Sequence, residues 1–242
     1  SVVYWGSSEG FSAERRSLLP SVGAYGIAAA DLDGDRYKEV LISNYSDGSS
    51  LMQDSYLYWG SAEGYSVERR SLLPSMGATG NAIADLDADG LPDIVIANSS
   101  DGTTSEVPSW IYWGSGGWTT AERTELPTLG AEGVSLQDLD ADGYTDVIIS
   151  GGDPSGTSPV SYVFWGSTTR YSDGDHIELA TVGSVGNAVS DLDGDGWKDL
   201  IFAGADTAQV WWGPSWPYGE PVSLPDSAHS FGISALALEQ GL

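Results

Sequence analysis

The stretch that decides the fold is DLDADGLPD, residues 85–93, which carries acidic side chains at its first, third, fifth and ninth positions. The same acid pattern returns as DLDGDRYKE at 31–39, DLDADGYTD at 138–146 and DLDGDGWKD at 191–199. The four loops therefore recur at a nearly constant interval of about fifty residues, which is typical of repeat architectures such as propellers.

Acids at alternate positions of a tight loop converge on one point, so each loop offers several carboxylate oxygens to one cation. Calcium takes six to eight oxygen ligands at about 2.3–2.6 Å, and the backbone carbonyl of the seventh residue completes the arc. Magnesium favours a rigid octahedron with several waters, and zinc favours His and Cys, which the loops lack. Solvated Asx-type turns without metal are the alternative, but four loops in register favour about four Ca²⁺ ions.

The predicted calcium ligands are the side chains at loop positions 1, 3, 5 and 9 and the carbonyl of position 7. Along the chain they are Asp31, Asp33, Asp35, Tyr37, Glu39, Asp85, Asp87, Asp89, Leu91, Asp93, Asp138, Asp140, Asp142, Tyr144, Asp146, Asp191, Asp193, Asp195, Trp197 and Asp199. The first loop has Arg36 where the others have glycine, the residue that most easily makes a left-handed turn. We therefore expect the first site to be the weakest.

The rest of each repeat predicts four short strands. A small-residue strand precedes each acid loop, and an apolar run such as DIVIAN follows it. An alternating aromatic strand such as SWIYWG comes next, and a polar strand such as VERRSLL ends the repeat. Four-stranded units at this period indicate propeller blades, whereas a solenoid of stacked β-coils usually has shorter repeats. The predicted fold is an all-β propeller of four complete blades and a partial fifth.

We expect residues 1–242 to form a single β-propeller domain, with repeats near 25–74, 79–127, 132–181 and 185–225. The two chain ends, 1–19 and 230–242, resemble parts of a fifth blade. Either these ends meet and close a ring within one chain, or the incomplete blade pairs with another copy, because unpaired strand edges recruit strands. We favour closure within one chain and keep self-association through the fifth blade as the alternative.

The aromatic residues fall into three repeat positions. They are Trp5, Trp59, Trp113, Trp165 and Trp212; Tyr4, Tyr58, Tyr112, Phe164 and Trp211; and Phe11, Tyr65, Trp118, Tyr171 and Tyr218. A side chain that recurs once per blade is expected to pack between blades. Trp216 lies outside this register and is the better candidate for an exposed contact.

The composition restricts the classes of partner. The chain has 9 Lys and Arg against 35 Asp and Glu, a net charge of −26, so it should repel nucleic acid and anionic membrane surfaces. It has no cysteine, which excludes disulfides and thiol chemistry. No run approaches the roughly 20 apolar residues of a membrane helix. We expect neither nucleic-acid binding nor membrane insertion.

The acid loop, followed by an apolar strand and then an aromatic-Gly strand, resembles the FG-GAP and VCBS repeats. These repeats form the integrin alpha-subunit propeller and occur in many secreted bacterial proteins. The resemblance implies calcium bound by the loop acids, an extracellular or cell-surface location, and a role in adhesion or assembly. It also implies that a partner binds the loop face opposite the calcium loops. Trp-Gly stands here in place of the family's Phe-Gly.

No catalytic constellation is evident in the sequence. The two histidines, His176 and His229, lie outside any repeated motif. We therefore expect an interaction module, not an enzyme, that binds a protein or a glycan. A calcium-dependent carbohydrate-binding lectin is the alternative, and a polysaccharide-degrading enzyme is a more distant one. The variable loops at 44–54, 98–108 and 151–159 are where partner specificity is expected, because loops on a rigid scaffold commonly carry function.

Overall fold

A computed structural model describes residues 1–152, 160–172, 174–181, 183–204, 207–213 and 219–225. In these ranges the chain forms one two-stranded and four four-stranded antiparallel sheets. Two 3-10 turns, Gly114–Gly116 and Thr120–Glu122, are the only helical elements of the described residues. The predicted all-β class is confirmed.

The strands follow one another in chain order, and each four-stranded sheet is called a blade. The N-terminal hairpin contains β1 (Val2–Tyr4) and β2 (Arg16–Leu18). The first blade contains β3 (Ala24–Ala30), β4 (Glu39–Asn44), β5 (Ser55–Tyr58) and β6 (Arg70–Leu73), and the second contains β7 (Ala78–Ala84), β8 (Asp93–Asn98), β9 (Ser109–Tyr112) and β10 (Thr124–Leu126). The third contains β11 (Gly133–Gln137), β12 (Asp146–Ser150), β13 (Ser161–Phe164) and β14 (His176–Leu179), and the fourth contains β15 (Ser184–Ser190), β16 (Asp199–Gly204), β17 (Thr207–Trp211) and β18 (Val222–Pro225).

Every blade is an up-and-down meander, because each strand pairs only with its neighbours in the chain. The first strands of successive blades contact one another, β3 with β7, β7 with β11, and β11 with β15. The small-residue strand is therefore innermost, and the polar strand lies at the opposite edge of the blade. This topology places all four acid loops, which join first and second strands, on one face. The loops between second and third strands lie on the other face.

Glycines at the start of the inner strands allow the blades to approach closely. A Cβ atom added to Gly26 would lie 2.8 Å from the carbonyl oxygen of Thr79, and one added to Gly80 would lie 2.7 Å from that of Glu132. Each contact is to the backbone of the next blade, which cannot move aside cheaply. Only glycine fits at these positions without separating the inner strands.

The core lies between blades, in four apolar clusters that each combine residues of neighbouring sheets. Every residue of β4, β8 and β12 is buried, as expected for a strand covered on both faces. The repeated aromatics pack across the same boundaries. Ring centroids lie 5.6 Å apart for Trp5 and Tyr65, and 5.6 Å apart for Trp59 and Trp118. The predicted packing of aromatics between blades is confirmed at these positions.

The N-terminal hairpin packs beside the first blade as two strands of a further blade. Leu19, which follows the hairpin, is buried with Val40, Ile42 and Tyr58 of the first blade. The predicted contribution of 230–242 lies outside the described residues, as do Trp216 and residues 153–159 of the third variable loop. Ring closure and the single-domain description of 1–242 therefore stay predictions.

Candidate metal centres

The four acid loops share one backbone path with two left-handed positions. At loop position 6, φ is 79° for Arg36, 88° for Gly90, and 93° for both Gly143 and Gly196. Position 4 is also left-handed, with φ between 58° and 78°. Its residues are all small: Gly34, Ala88, Ala141 and Gly194. Arg36 thus adopts the strained conformation that the sequence predicted. The left-handed conformation at position 4 was not predicted, although the occurrence of only Gly and Ala at this position could have indicated it.

This path brings the acids of positions 1, 3 and 9 together in every loop. In each group three carboxylate oxygens, one from each residue, lie within 4.8 Å of one another. The groups are Asp31, Asp33 and Glu39; Asp85, Asp87 and Asp93; Asp138, Asp140 and Asp146; and Asp191, Asp193 and Asp199. Two oxygens on opposite sides of a calcium ion lie about 4.6–5.2 Å apart, since each bond is about 2.3–2.6 Å long. The oxygen-only donor set and its spacing therefore fit Ca²⁺.

The acid at position 9 is buried in every loop and anchors the loop to its own blade. In the second loop, Asp93 accepts the N–H of Leu86 at 2.8 Å and the N–H of Gly114 at 2.8 Å. Asp146 accepts the corresponding pair from Leu139 and Gly166, each also at 2.8 Å. The other two acids accept the same pair of bonds. Glu39 accepts the N–H groups of Leu32 and Gly60, and Asp199 accepts those of Leu192 and Gly213.

Burial disfavours the ionised form of these position-9 carboxyl groups when no cation is near. It raises the pKa of Asp93 to about 6 and that of Asp146 to about 7, although the two N–H donors oppose the rise. The pKa of Glu39 is also raised by burial. A bound divalent cation favours the ionised form of a neighbouring carboxyl. Metal binding would therefore stabilise the folded loops most strongly at this position.

The remaining acids also hydrogen-bond to the loop backbone. The position-1 carboxylate accepts the N–H of position 6 at 3.0 Å in all four loops. The position-5 carboxylate accepts the N–H of position 7 at 2.7–2.9 Å. The position-5 acids Asp35, Asp89, Asp142 and Asp195 are exposed and lie outside the close oxygen groups. Their role as ligands, and that of the carbonyls of Tyr37, Leu91, Tyr144 and Trp197, stays a prediction.

Two buried carboxylate oxygens of these loops have no hydrogen-bond partner. They are Oδ1 of Asp138, at position 1 of the third loop, and Oδ1 of Asp87, at position 3 of the second. A buried acceptor without a partner is costly. Both atoms belong to residues of the close oxygen groups, so a cation held by those groups would satisfy them. This observation supports the fit to a metal independently of the spacing.

In the four blades the glycine of the Trp-Gly pair belongs to the site, a role that was not predicted from the sequence. The N–H of Gly114 donates to the buried Asp93, and a Cβ there would lie 2.6 Å from the carbonyl oxygen of Pro92 in the loop. Gly60 and Gly166 repeat both features. The repeated Trp-Gly pair was the signal, since glycine was conspicuous beside a packing aromatic.

In the first three blades, the third aromatic of the repeat links the acid loop of its blade to the preceding sheet. Tyr65 donates its hydroxyl to the carbonyl of Lys38 at 2.8 Å, and Trp118 donates Nε1–H to the carbonyl of Pro92 at 3.0 Å. Tyr171 makes the same contact with Thr145. Each of these rings also packs on the Trp of the previous sheet. The conformation of an acid loop therefore depends on the packing between its own blade and the preceding sheet.

The opposite face carries a groove between the second and third blades. It has a volume of about 890 Å³, and its lining includes Glu106, Leu129, Tyr162, His176 and Glu178. Glu106 lies in the second of the variable loops singled out from the sequence, and residues 98–108 are all described.

None of the described residues forms a helix with the length and apolar character needed to cross a bilayer.

One segment of the chain matches a known protein family. Residues 85–149 match the model of the FG-GAP-like repeat family, a span that contains the second and third acid loops. A search of curated protein sequences finds no significant match to the chain. The matched span and the recurring four-stranded sheets fit the architecture of an FG-GAP-like repeat β-propeller.

Proposed function

We propose that this chain is a calcium-stabilised propeller module that acts outside the cell and binds a protein partner in adhesion or assembly. The observation that carries the proposal is the buried acid at position 9 of every loop. It belongs to the close oxygen group and also accepts two backbone N–H bonds from its own blade. One cation per loop would therefore stabilise a blade and the boundary with its neighbour.

A structural role for the metal is supported over a catalytic one. The position-9 carboxylates Glu39, Asp93, Asp146 and Asp199 are at most 1% exposed, so none can reach a substrate. Their two N–H bonds also fix them in place. General acid–base catalysis needs a group within hydrogen-bond reach of the reacting atom. We therefore propose that the module is not an enzyme.

The location outside the cell rests on calcium and on the family. FG-GAP repeats typically occur in extracellular proteins. Extracellular modules bind calcium with dissociation constants of about 10⁻⁴–10⁻³ M, which external calcium suffices to fill. The acid loops are largely exposed on one face, where ions can enter.

The groove on the opposite face is the proposed partner site. Glu106 and Glu178 are exposed at its lining and carry negative charge, whereas the ring of Tyr162 is only 5% exposed. Sugar binding commonly uses an exposed aromatic face, which Tyr162 does not offer. The charge favours a basic or polar peptide segment, since complementary charge speeds and orients association. This groove gives the lectin alternative no specific support.

The calcium proposal is tested by counting bound ions. Equilibrium dialysis of the full chain against Ca²⁺ should give four ions per chain, with little replacement by equimolar Mg²⁺. A variant with Asp138→Ala and Asp140→Ala should bind three, because it removes two of the three acids of the third oxygen group. A wild-type count near zero would contradict the proposal.

The partner proposal is tested with a peptide array and a glycan array probed in calcium. We expect binding to Lys- or Arg-containing peptides, and we expect Glu106→Lys with Glu178→Lys to abolish it. The matched control is Glu9→Lys with Glu14→Lys, two exposed acids of the N-terminal hairpin. Selective binding to glycans that survives the groove substitutions would favour the lectin instead.

A further inference from the structure

Arg170 occupies a turn position that glycine holds in three other sheets. The turn joins the third and fourth strands, and its left-handed residue is Gly10, Gly64 and Gly117 in the hairpin and the first two blades. At Arg170 φ is 65°, and its N–H donates to the carbonyl of Ser167 at 3.3 Å. A side chain in this conformation is strained. Such strain persists only where the surroundings hold the residue in place.

The side chain of Arg170 crosses from the third blade to the second. Its Nε donates to Oδ2 of Asp87 at 2.9 Å, and its Nη2 donates to the hydroxyl of Ser115 at 2.9 Å. The guanidinium carbon lies 4.1 Å from the centroid of the Trp113 ring. An ion pair, a hydrogen bond and a cation–π contact thus hold one arginine on the neighbouring blade. Asp87 is position 3 of the second acid loop.

The second loop differs from the others at this contact. In the first, third and fourth loops the position-3 carboxylate accepts the N–H of position 5 at 3.1 Å and is exposed. In the second loop the N–H of Asp89 goes to Asp85 instead, at 3.1 Å. Asp87 is half-buried, with Oδ2 on Arg170 and Oδ1 without a partner. One carboxylate is therefore arranged to serve two cations, one through each oxygen.

We propose that Arg170 is an inter-blade latch that supplies part of the positive charge of the second metal site and couples that site to the third blade. The inference rests on the calcium binding proposed above. Arg170 is a positioning residue for Asp87 and does not itself bind the metal. The free Oδ1 of Asp87 leaves the site open to an ion.

The positive charge of Arg170 determines whether this residue strengthens or weakens calcium binding at the second loop. In the metal-free protein the guanidinium offsets the repulsion among the acids of the second loop, so it stabilises the loop and the boundary between the second and third blades. When a divalent ion binds, the same positive charge repels it. The latch therefore lowers the calcium affinity of the second site and makes this loop the least dependent on calcium for its order.

The test compares Arg170→Met with Arg69→Met in the full-length chain. Methionine keeps an apolar stem but removes the charge and its hydrogen bonds. Arg69 is a suitable control, because it pairs with Glu63 and the carbonyl of Gly64 within its own turn and contacts no acid loop. Thermal unfolding is measured in chelator and in saturating Ca²⁺, and calcium binding is measured by calorimetry.

We expect Arg170→Met to lower the melting temperature in chelator and to lower it much less in calcium. One of the four sites should bind calcium about tenfold more tightly, the size expected for removing one nearby unit charge in a well-solvated setting. Arg69→Met should shift both melting temperatures equally and leave the isotherm unchanged. Arg170→Gly, which restores the residue of the other turns, should give the same calcium result if the methionine variant folds poorly.

Two outcomes would overturn the latch while leaving calcium binding intact. One is an equal loss of melting temperature with and without calcium. The other is weaker calcium binding in the Arg170 variants, which would mean that the arginine only orients Asp87 for the metal. A wild-type chain that binds no calcium would instead overturn the proposed function, and the latch with it.

Discussion

Arg36 holds a left-handed conformation with φ of 79° in the loop position where the other three loops have glycine. Replacing it with glycine should stabilise the chain by about 1 kcal/mol, because glycine adopts this conformation without strain. The substitution also removes a positive charge from the first metal site, so calcium should bind there more tightly. Urea unfolding measures the first effect and titration calorimetry the second. Arg36→Ala, which removes the charge and keeps the strain, separates the two, and no change in either measurement would contradict this account.

Glu132 is a half-buried acid outside the four acid loops, and desolvation raises its pKa to about 7. Because the folded-state pKa lies above the ordinary value of 4.5, the folded chain holds this proton more tightly than the unfolded chain. Stability is therefore lost as pH rises from about 4.5 through 7. Glu132→Gln should remove that loss and stabilise the protein by about 1–3 kcal/mol at pH 8.

The same substitution should change stability little at pH 4, where Glu132 is protonated in both states. Denaturant unfolding across this pH range, in saturating calcium, measures the effect. The exposed Glu122 provides the control, and Glu122→Gln should leave the pH profile unaltered. A Glu132→Gln profile parallel to that of the wild type would contradict the assignment.

At the residue scale the sequence predicted the acids, because regular spacing within a loop and between loops reveals converging side chains. It did not predict the contact of Arg170 with Asp87, which are 83 residues apart and meet only because their blades are adjacent. A missing glycine at one turn was the only signal. Nor did it reveal that Gly114 donates to Asp93. A glycine in a strand indicates a close approach, but does not identify the partner.

At the element scale, the aromatic position shared by Trp5 and Trp113 offers a matched pair. Both indoles donate Nε1–H to a hydroxyl on the next strand, at 3.1 Å to Ser17 and 3.0 Å to Thr124. They differ in burial, since Trp5 is 40% exposed and Trp113 is 1% exposed. Trp113→Ala should cost about 3–5 kcal/mol of unfolding free energy, the usual loss for a buried aromatic. Trp5→Ala should cost about 1 kcal/mol, mainly its hydrogen bond.

Urea unfolding in saturating calcium measures this difference. Equal losses for the two variants would mean that the shared hydrogen bond, not packing between blades, explains the recurrence of tryptophan.

The strands themselves were predictable, because apolar runs and alternation are local signals. The register shift between β3 and β4 near Ala24 and Ile27 was not, because it depends on the backbone of the adjoining blade.

At the scale of the whole molecule, the blades are linked in series. The N-terminal hairpin packs on the first blade, and each of the later blades packs on the one before it. Among the residues that the structure describes, the hairpin sheet has two strands, and Tyr4, Phe11 and Leu18 are exposed. An open edge of this kind recruits another strand. Closure within one chain predicts that sedimentation velocity in calcium finds one species near 25.4 kDa, and a concentration-dependent dimer would favour pairing between chains.

The central claim is that metal in the four acid loops holds the blades in their packed order. Scanning calorimetry of the full chain in saturating Ca²⁺ and in chelator tests it most directly. An ion at 100 times its dissociation constant adds about 2.7 kcal/mol per site, so we predict a large rise in melting temperature within a single cooperative transition. The same melting temperature in both solutions would contradict the account.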